Sequence, residues 1–267
     1  MHGQRNIRLT KLLAQLISQP NVNQPLVDFA HEFGVSKTII SEDVVAINKA
    51  LQALDLGYID VGKGRGGGGR FIPFISKETR EKFLSGLADE LSKHERLLPG
   101  GLIYYSDLIF QPAIAQKLAY CLASLYGDTQ IDTILTSEVK GIPVALYLAQ
   151  ALNAKLSVCR FRNRASDGAA VAVHYPTSSG DVRTMYMGTH QMQQNSRVLI
   201  VDDFLRGGST ITGMALMADQ FKAKVVGIAT IIGNAKPKLK LKKKYKSLLT
   251  LNLGPRGSIK LSVTDNK

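Results

Sequence analysis

A chain of 267 residues, 45% of them hydrophobic, has enough apolar material for one large domain or for a small one joined to a medium one. Its net charge of +13 is unevenly spread: residues 236–267 hold ten Lys and Arg against one Asp, and seven of these are the lysines of KPKLKLKKKYK, a run that ordinarily forms a solvated face and does not by itself argue for nucleic acid. No apolar run approaches the roughly 20 residues of a membrane span, the N-terminus lacks the apolar core of a secretory signal, and Cys121 and Cys159 read as reduced core thiols of a cytoplasmic protein rather than a disulfide or metal site.

Residues 1–74 begin with IRLTKLLAQLI, in which Ile7, Leu9, Leu12, Leu13, Leu16 and Ile17 recur at helical spacing before Pro20 closes the segment. From Pro25, residues Val27, Phe29 or Ala30, and Phe33 mark the inner face of a second helix. Gly34 then permits a tight turn, and Ser36 caps a third helix that turns Ile39, Ile40, Val44 and Ile47 inward. The small Ala30, the Gly34 turn and the Ser36 cap have the spacing of a helix-turn-helix. That reading puts Ser36, Lys37, Thr38 and Ser41 on outward early turns, within reach of base edges or phosphates. Helical spacing alone fits equally well an ordinary three-helix domain that touches no DNA.

Two strand-like runs follow, LGYIDV and RFIPFI, separated by GKGRGGGG with six glycines in eight positions. A hairpin after a helix-turn-helix makes a winged helix. Lys63 and Arg65 on the glycine loop, with Arg70 at its exit, are then placed to meet the sugar-phosphate backbone, and Arg5 and Arg8 on the first helix are further candidates for DNA contact. Gly64, Gly66 and Gly69 satisfy G-x-G-x-x-G, but a strand follows rather than a helix, so this is no dinucleotide fingerprint. The absence of a GK[ST] ending excludes a triphosphate P-loop here.

From about residue 75 apolar strands alternate with helices: GGLIYYSDL, a helix through Ala115 to Leu125, IDTILTS, a helix from Pro143, LSVCRF, VLIV and a further helix, then VVGIATII and SLLTLNL. The alternation predicts an α/β domain with a mostly parallel sheet covered on both faces. Ligands of such sheets bind at the carboxyl ends of the strands.

Two chemically loaded loops fall at such ends. In VLIVDDFLRGGSTITG, residues 198–213, Val198 to Val201 form a buried strand, and Asp202 and Asp203 follow it. These carboxylates can accept from two neighbouring ribose hydroxyls or hold a magnesium-bound water. Beyond Phe204, the residues Leu205, Arg206, Gly207, Gly208, Ser209 and Thr210 make a loop entering a helix. Its N–H groups, its hydroxyls and the positive helix end suit a 5-phosphate. In SEVKGIPVA, residues 137–145, Lys140 and Gly141 precede a helix and suit a diphosphate. Between them RFRNRASDG and HYPTSSGDVRTMY, a polar hairpin-like segment with Arg160, Arg162 and Arg164, reads as further charge for the diphosphate, as a mobile lid or as a solvated loop.

Residues 198–213 resemble the phosphoribosyl pyrophosphate motif of type I phosphoribosyltransferases. The resemblance extends over nearly the whole chain to the purine operon repressors of Gram-positive bacteria. It is carried by SEDV at 41–44, GGGGRFIP at 66–73, ERLLPGG at 95–101, VKGIP at 139–143 and VDDFLRGGST at 201–210. It implies a winged-helix DNA-binding domain at 1–74 and a phosphoribosyltransferase fold at 75–267, kept as a sensor without turnover in a homodimeric repressor of purine biosynthesis genes. The implied partner is double-stranded operator DNA, and no cofactor or protein-held metal is required. The implied inducer is phosphoribosyl pyrophosphate with magnesium, for whose pocket guanosine polyphosphates compete. Its ligand residues map onto Asp202 through Thr210, Lys140, Gly141, Arg160 and Tyr104.

The chain departs from the family pattern in having Arg206 in place of Lys, Gly207, Gly208 and Ser209 in place of Ala-Gly-Gly, and Leu102 in place of an aromatic residue, so that stacking on a nucleobase would fall to Tyr104 or Tyr105. The competing expectation is an active purine phosphoribosyltransferase with a regulatory appendage. Turnover would require a hood that positions a base and a closing loop, and no separate base-recognition element is evident in the sequence.

Overall fold

A computed structural model describes residues 2–62, 67–98, 102–127, 129–234, 244–253 and 259–266. The chain divides into two compact units, residues 1–79 with 150–153 and residues 80–149 with 154–267.

The first unit contains α1 (His2–Ser18), β1 (Gln24–Pro25), α2 (Leu26–Phe33), α3 (Lys37–Ala53), β2 (Gly57–Val61) and β3 (Gly68–Pro73). Gly34 ends α2 at φ 63°, a left-handed conformation that glycine adopts without a Cβ penalty, and its N–H donates to the His31 carbonyl at 3.3 Å. Ser36 Oγ accepts from the Ile39 N–H at 3.3 Å, which starts α3 at the expected cap. β2 and β3 pair antiparallel from Gly57 opposite Pro73 to Val61 opposite Gly69, and β1 lies on the other side of β3. Leu12, Leu16, Leu26, Phe29, Ile40, Val44, Ile47, Leu51, Ile59 and Phe71 form one core beneath the helices and the hairpin. Ile39, expected inside, stays half-buried at its margin. The architecture is a winged helix-turn-helix.

The second unit follows α4 (Lys77–Leu91) with a two-residue ladder, β4 (Leu97–Leu98) and β5 (Leu102–Ile103), then α5 (Ser106–Ile109), α6 (Pro112–Ala123), β6 (Thr133–Ser137), α7 (Ile142–Leu152), β7 (Lys155–Cys159), β8 (Ala170–Pro176) and β9 (Val182–Gly188). β10 (Arg197–Leu205), α8 (Ser209–Gln220), β11 (Lys224–Asn234), β12 (Tyr245–Leu253) and β13 (Ile259–Val263) complete it. The main sheet has the order β13-β12-β11-β10-β6-β7 and is parallel except for the antiparallel edge strand β13. β8 and β9 form a separate antiparallel hairpin.

Among the described residues of GGLIYYSDL, expected as a strand of this sheet, Leu102–Ile103 alone form a strand, and it pairs with β4 rather than with the main sheet. The Tyr105 carbonyl accepts from the Leu108 and Ile109 N–H groups and turns the chain into α5. A second difference concerns β10, expected to end at Val201. On the β6 side its ladder stops at Ile200 opposite Leu135, but on the β11 side it continues to Leu205 opposite Gly233. The long partner β11 satisfies its main chain well past the acids, so both Asp residues lie within a strand.

Cys121 and Cys159 are free and buried, and burial pushes both thiols up to about 12. Iodoacetamide at pH 8 is therefore expected to leave the native protein unlabelled and to label both positions in denaturant, since the thiolate is the nucleophile. Rapid labelling of the native protein, read by mass spectrometry, would contradict this burial.

Candidate functional site

The carboxyl end of β10 carries the candidate ligand site. Asp202, 5% exposed, points into the unit, and its carboxyl is held well above the ordinary carboxylate range, first by burial and then by the neighbouring Asp203. The Asp203 N–H donates to Asp202 Oδ1 at 3.0 Å. Asp203 is half-buried, and its carboxylate accepts from the Tyr105 hydroxyl. Burial foremost, and the two acids after it, hold that phenol un-ionised. Phe204 packs edge-on against the Tyr105 ring at 6.4 Å, and Lys140 Nζ sits 4.5 Å from the same ring's centroid.

After β10 the chain turns through Gly207, half-buried, and Gly208, buried, which follow the exposed Arg206, into α8, whose first residues are Ser209 and Thr210. The N–H groups of the first turn of a helix have no intrahelical partner and carry its positive end, which suits an anion. A cleft of about 620 Å³ opens here, lined by Asp202, by Phe204 through Ile211, by Asn234 and by the β8–β9 hairpin. The hairpin brings Thr177, Ser178, Ser179 and Arg183, and the Ser178 N–H donates to Ser209 Oγ at 3.0 Å. The sequence marked this segment as further charge for the diphosphate, a mobile lid or a solvated loop, and did not single out Thr177, Ser178, Ser179 and Arg183; the serine and threonine cluster at the turn was the available signal.

Lys140, Gly141 and Arg160 do not line that cleft; Gly141 lies beside the Asp203 backbone, and Lys140 sits over the Tyr105 ring. Gly141 is buried, and a Cβ there would stand 2.5 Å from Thr136 Oγ1 and 3.8 Å from the Asp203 nitrogen, so the loop lies flat against the strand ends only because this residue is glycine. Arg160 pairs with Asp167 at 2.7 Å and with Glu138 at 3.8 Å, and Glu138 Oε1 accepts from the Phe161 N–H at 2.7 Å. Arg160 therefore braces the 138–141 loop, while Arg162 and Arg164 are exposed. Tyr104 lies elsewhere: it is 48% exposed, its N–H donates to the Arg96 carbonyl, and it is the next residue, Tyr105, that enters the site. Ile103 and Tyr105 are both buried, so Tyr104 between them faces outward. Among the described residues no three His, Cys, Asp or Glu side chains gather to hold a metal ion.

In the first unit Ser36, Lys37, Thr38 and Ser41 are all exposed at the start of α3, with Ser41 Oγ donating to the Lys37 carbonyl at 3.0 Å. Arg70, at the entry to β3, pairs with Asp60 at 2.8 Å and donates to Asn21 Oδ1 at 3.3 Å. Arg5 and Arg8 both converge on Asp43 of α3, at 3.3 and 2.6 Å. Lys63 and Arg65 lie outside the described residues.

Two family models match the chain: the N-terminal domain of the bacterial purine repressor over residues 4–73, and the phosphoribosyl transferase domain over residues 105–263. A probable purine biosynthesis transcriptional regulator of Streptococcus pneumoniae is 36% identical over 93% of this chain and 91% of its own length. The purine biosynthesis transcriptional repressor of Bacillus subtilis is 33% identical over 94% of this chain and 89% of its own. A purine biosynthesis transcriptional activator of Lactococcus lactis is 32% identical over 93% and 92%. Among solved structures, adenine phosphoribosyltransferase from Thermoanaerobacter pseudethanolicus superposes with a TM-score of 0.52 at 18% identity, covering 61% of this chain and 99% of that one, and establishes the fold of the second unit. The winged helix and the transferase-type domain thus occur together along the length of these relatives, and the chain belongs to the family of purine biosynthesis transcriptional regulators.

Proposed function

We propose that this protein is a DNA-binding repressor of purine biosynthesis genes, acting in the cytoplasm as a homodimer, and that its transferase-type cleft senses phosphoribosyl pyrophosphate as an inducer without turning it over. The observation that carries the reading is one chain joining exposed polar residues at the head of α3 to a cleft lined by Asp202, a glycine-hydroxyl loop and a helix N-terminus, with Asp203 next to it on the strand. The loop amides with Ser209 and Thr210 suit the 5-phosphate, Asp203 the ribose hydroxyls, and Lys140 beside Gly141 the diphosphate. Magnesium bound with the ligand would supply counter-charge to the diphosphate. Guanosine polyphosphates present the same diphosphate chemistry and compete at that end. The inducer lowers DNA affinity to the extent that it binds the DNA-free form more tightly.

The test is a DNA-binding titration on promoter fragments of purine biosynthesis genes, with and without phosphoribosyl pyrophosphate. The sugar diphosphate is expected to weaken DNA binding. Asp203→Ala is expected to bind DNA like wild type while needing at least about tenfold more ligand for the same relief, the loss that follows from removing a charged hydrogen-bond acceptor. DNA affinity indifferent to the ligand overturns the inducer assignment. Incubation with each purine base is expected to release no pyrophosphate at the ~1–10³ s⁻¹ of ordinary enzymes; release at such rates overturns the sensor reading in favour of an active transferase. The name of the Lactococcus lactis relative favours a second reading, activation, which a promoter-reporter strain lacking this protein distinguishes by a fall rather than a rise in expression.

A further inference from the structure

We infer that Tyr105 is a positioning residue for the effector: its hydroxyl fixes the Asp203 carboxylate while its ring seats the Lys140 ammonium, so that one side chain presets the acid for the ribose and the cation for the diphosphate. The inference rests on the effector reading proposed above and names a residue that neither the motif nor its neighbours in sequence single out.

Tyr105 occupies the position before the first turn of α5 and is buried, with Lys140 Nζ 4.5 Å from its ring centroid and Phe204 edge-on at 6.4 Å. Its hydroxyl donates to Asp203 Oδ2. A hydroxyl in such surroundings loses heavily if left unpaired, so this bond persists when a ligand arrives instead of being exchanged for one. A carboxylate offers about four lone-pair sites, and Asp203 keeps acceptor capacity for a ribose hydroxyl while Tyr105 holds one oxygen. Because burial keeps the phenol protonated, it remains a donor throughout the physiological range.

The partner acid cannot take over this orientation. Asp202 is buried, and its Oδ1 already accepts the Asp203 N–H. Asp202 lines the cleft beside the 206–210 loop, whereas Asp203 lies on the side of Tyr105 and Lys140, and its rotamer is set from the Tyr105 side. The ring contributes separately. Lys140 belongs to an exposed loop position, and a flexible ammonium loses rotamer freedom when it engages a ligand. Seating it on an aromatic face beforehand lowers that cost. The hydroxyl and the ring thus serve opposite ends of one ligand, and they can be removed one at a time.

Calorimetric titration of the full-length protein with phosphoribosyl pyrophosphate tests this in wild type, Tyr105→Phe, Tyr105→Leu, Asp203→Asn and the Tyr105→Phe/Asp203→Asn double variant. Tyr105→Phe keeps the ring and is expected to lose about tenfold in affinity, as befits a hydrogen bond to a charged group. Tyr105→Leu loses more, because the lysine loses its seat. The double variant is expected to bind no more weakly than Asp203→Asn alone, since the hydroxyl acts through that carboxylate. Affinity of Tyr105→Phe within about twofold of wild type, or a further tenfold loss on adding it to Asp203→Asn, overturns the inference. Wild-type protein that fails to bind the sugar diphosphate overturns the effector reading itself, a different result from either.

Discussion

Asp43→Ala is expected to destabilise the first unit by about 3 kcal/mol, near the low end for removing one partner of a buried ion pair. Asp43 lies in α3 with 1% of its side chain exposed and accepts from Arg8 Nε at 2.6 Å and Arg5 Nε at 3.3 Å. Arg8 is itself only 15% exposed, so losing the carboxylate strands a guanidinium in a largely dry place. Arg5, at 54%, is screened by water and adds little to the effect. Asp43→Asn keeps the shape and one acceptor and is expected to cost less. Urea unfolding of the full chain, followed through the helical signal of its first transition, measures both variants. A loss below about 1 kcal/mol for Asp43→Ala would place the cluster with ordinary surface pairs. By the same geometry Arg8→Ala is expected to lower stability more than it changes the salt dependence of DNA binding.

Gly141→Ala is expected to weaken effector binding by roughly ten- to a hundredfold, the consequence of about 1–3 kcal/mol of overpacking taken up by the loop. The added carbon would stand 2.5 Å from Thr136 Oγ1, well inside any tolerable contact. Thr136 is fully buried in β6, and its pairing with Val158 of β7 keeps its backbone from retreating. The 138–141 segment must lift instead, carrying Lys140 away from the Tyr105 ring. Titration with phosphoribosyl pyrophosphate reads the loss, and unchanged affinity would show that the loop relaxes without moving its lysine. Stability should change less than binding, because exposed loop backbone absorbs the shift more readily than a core does.

The winged helix was legible because its signals are local: the Gly34 turn and the Ser36 cap act within a few residues of themselves, and each does in three dimensions what its chemistry suggests. The glycine-hydroxyl turn into α8 was legible for the same reason. What the sequence concealed depends on partners distant along the chain. Nothing near Arg5 and Arg8 announces that a carboxylate 35 and more residues away will be buried beside them, so two basic residues on an amphipathic helix looked available for phosphates. Leu102 through Tyr105 read Leu-Ile-Tyr-Tyr, with no alternation of polarity to reveal which face is inward, and the choice between Tyr104 and Tyr105 was open until Ile103 was seen to be buried. The end of β10 was misjudged because strand length there is decided by β11, a partner that lies some 20 residues later and outlasts β6.

The hydrogen bond from the hairpin to the head of α8 fixes a direction as well as a distance. Since Ser209 Oγ accepts from the Ser178 N–H, one of its lone pairs is committed on the hairpin side and its own proton is left to point away from that amide. A serine hydroxyl is ordinarily ambivalent, equally able to give or to take. Here the neighbouring amide takes one lone pair, leaving the hydroxyl its proton and its second lone pair for the cleft. The hairpin thereby biases the turn at the head of α8: with Ser178 in place the serine has one fewer lone pair to offer and still has its proton to give, and a hairpin that swings away restores both lone pairs.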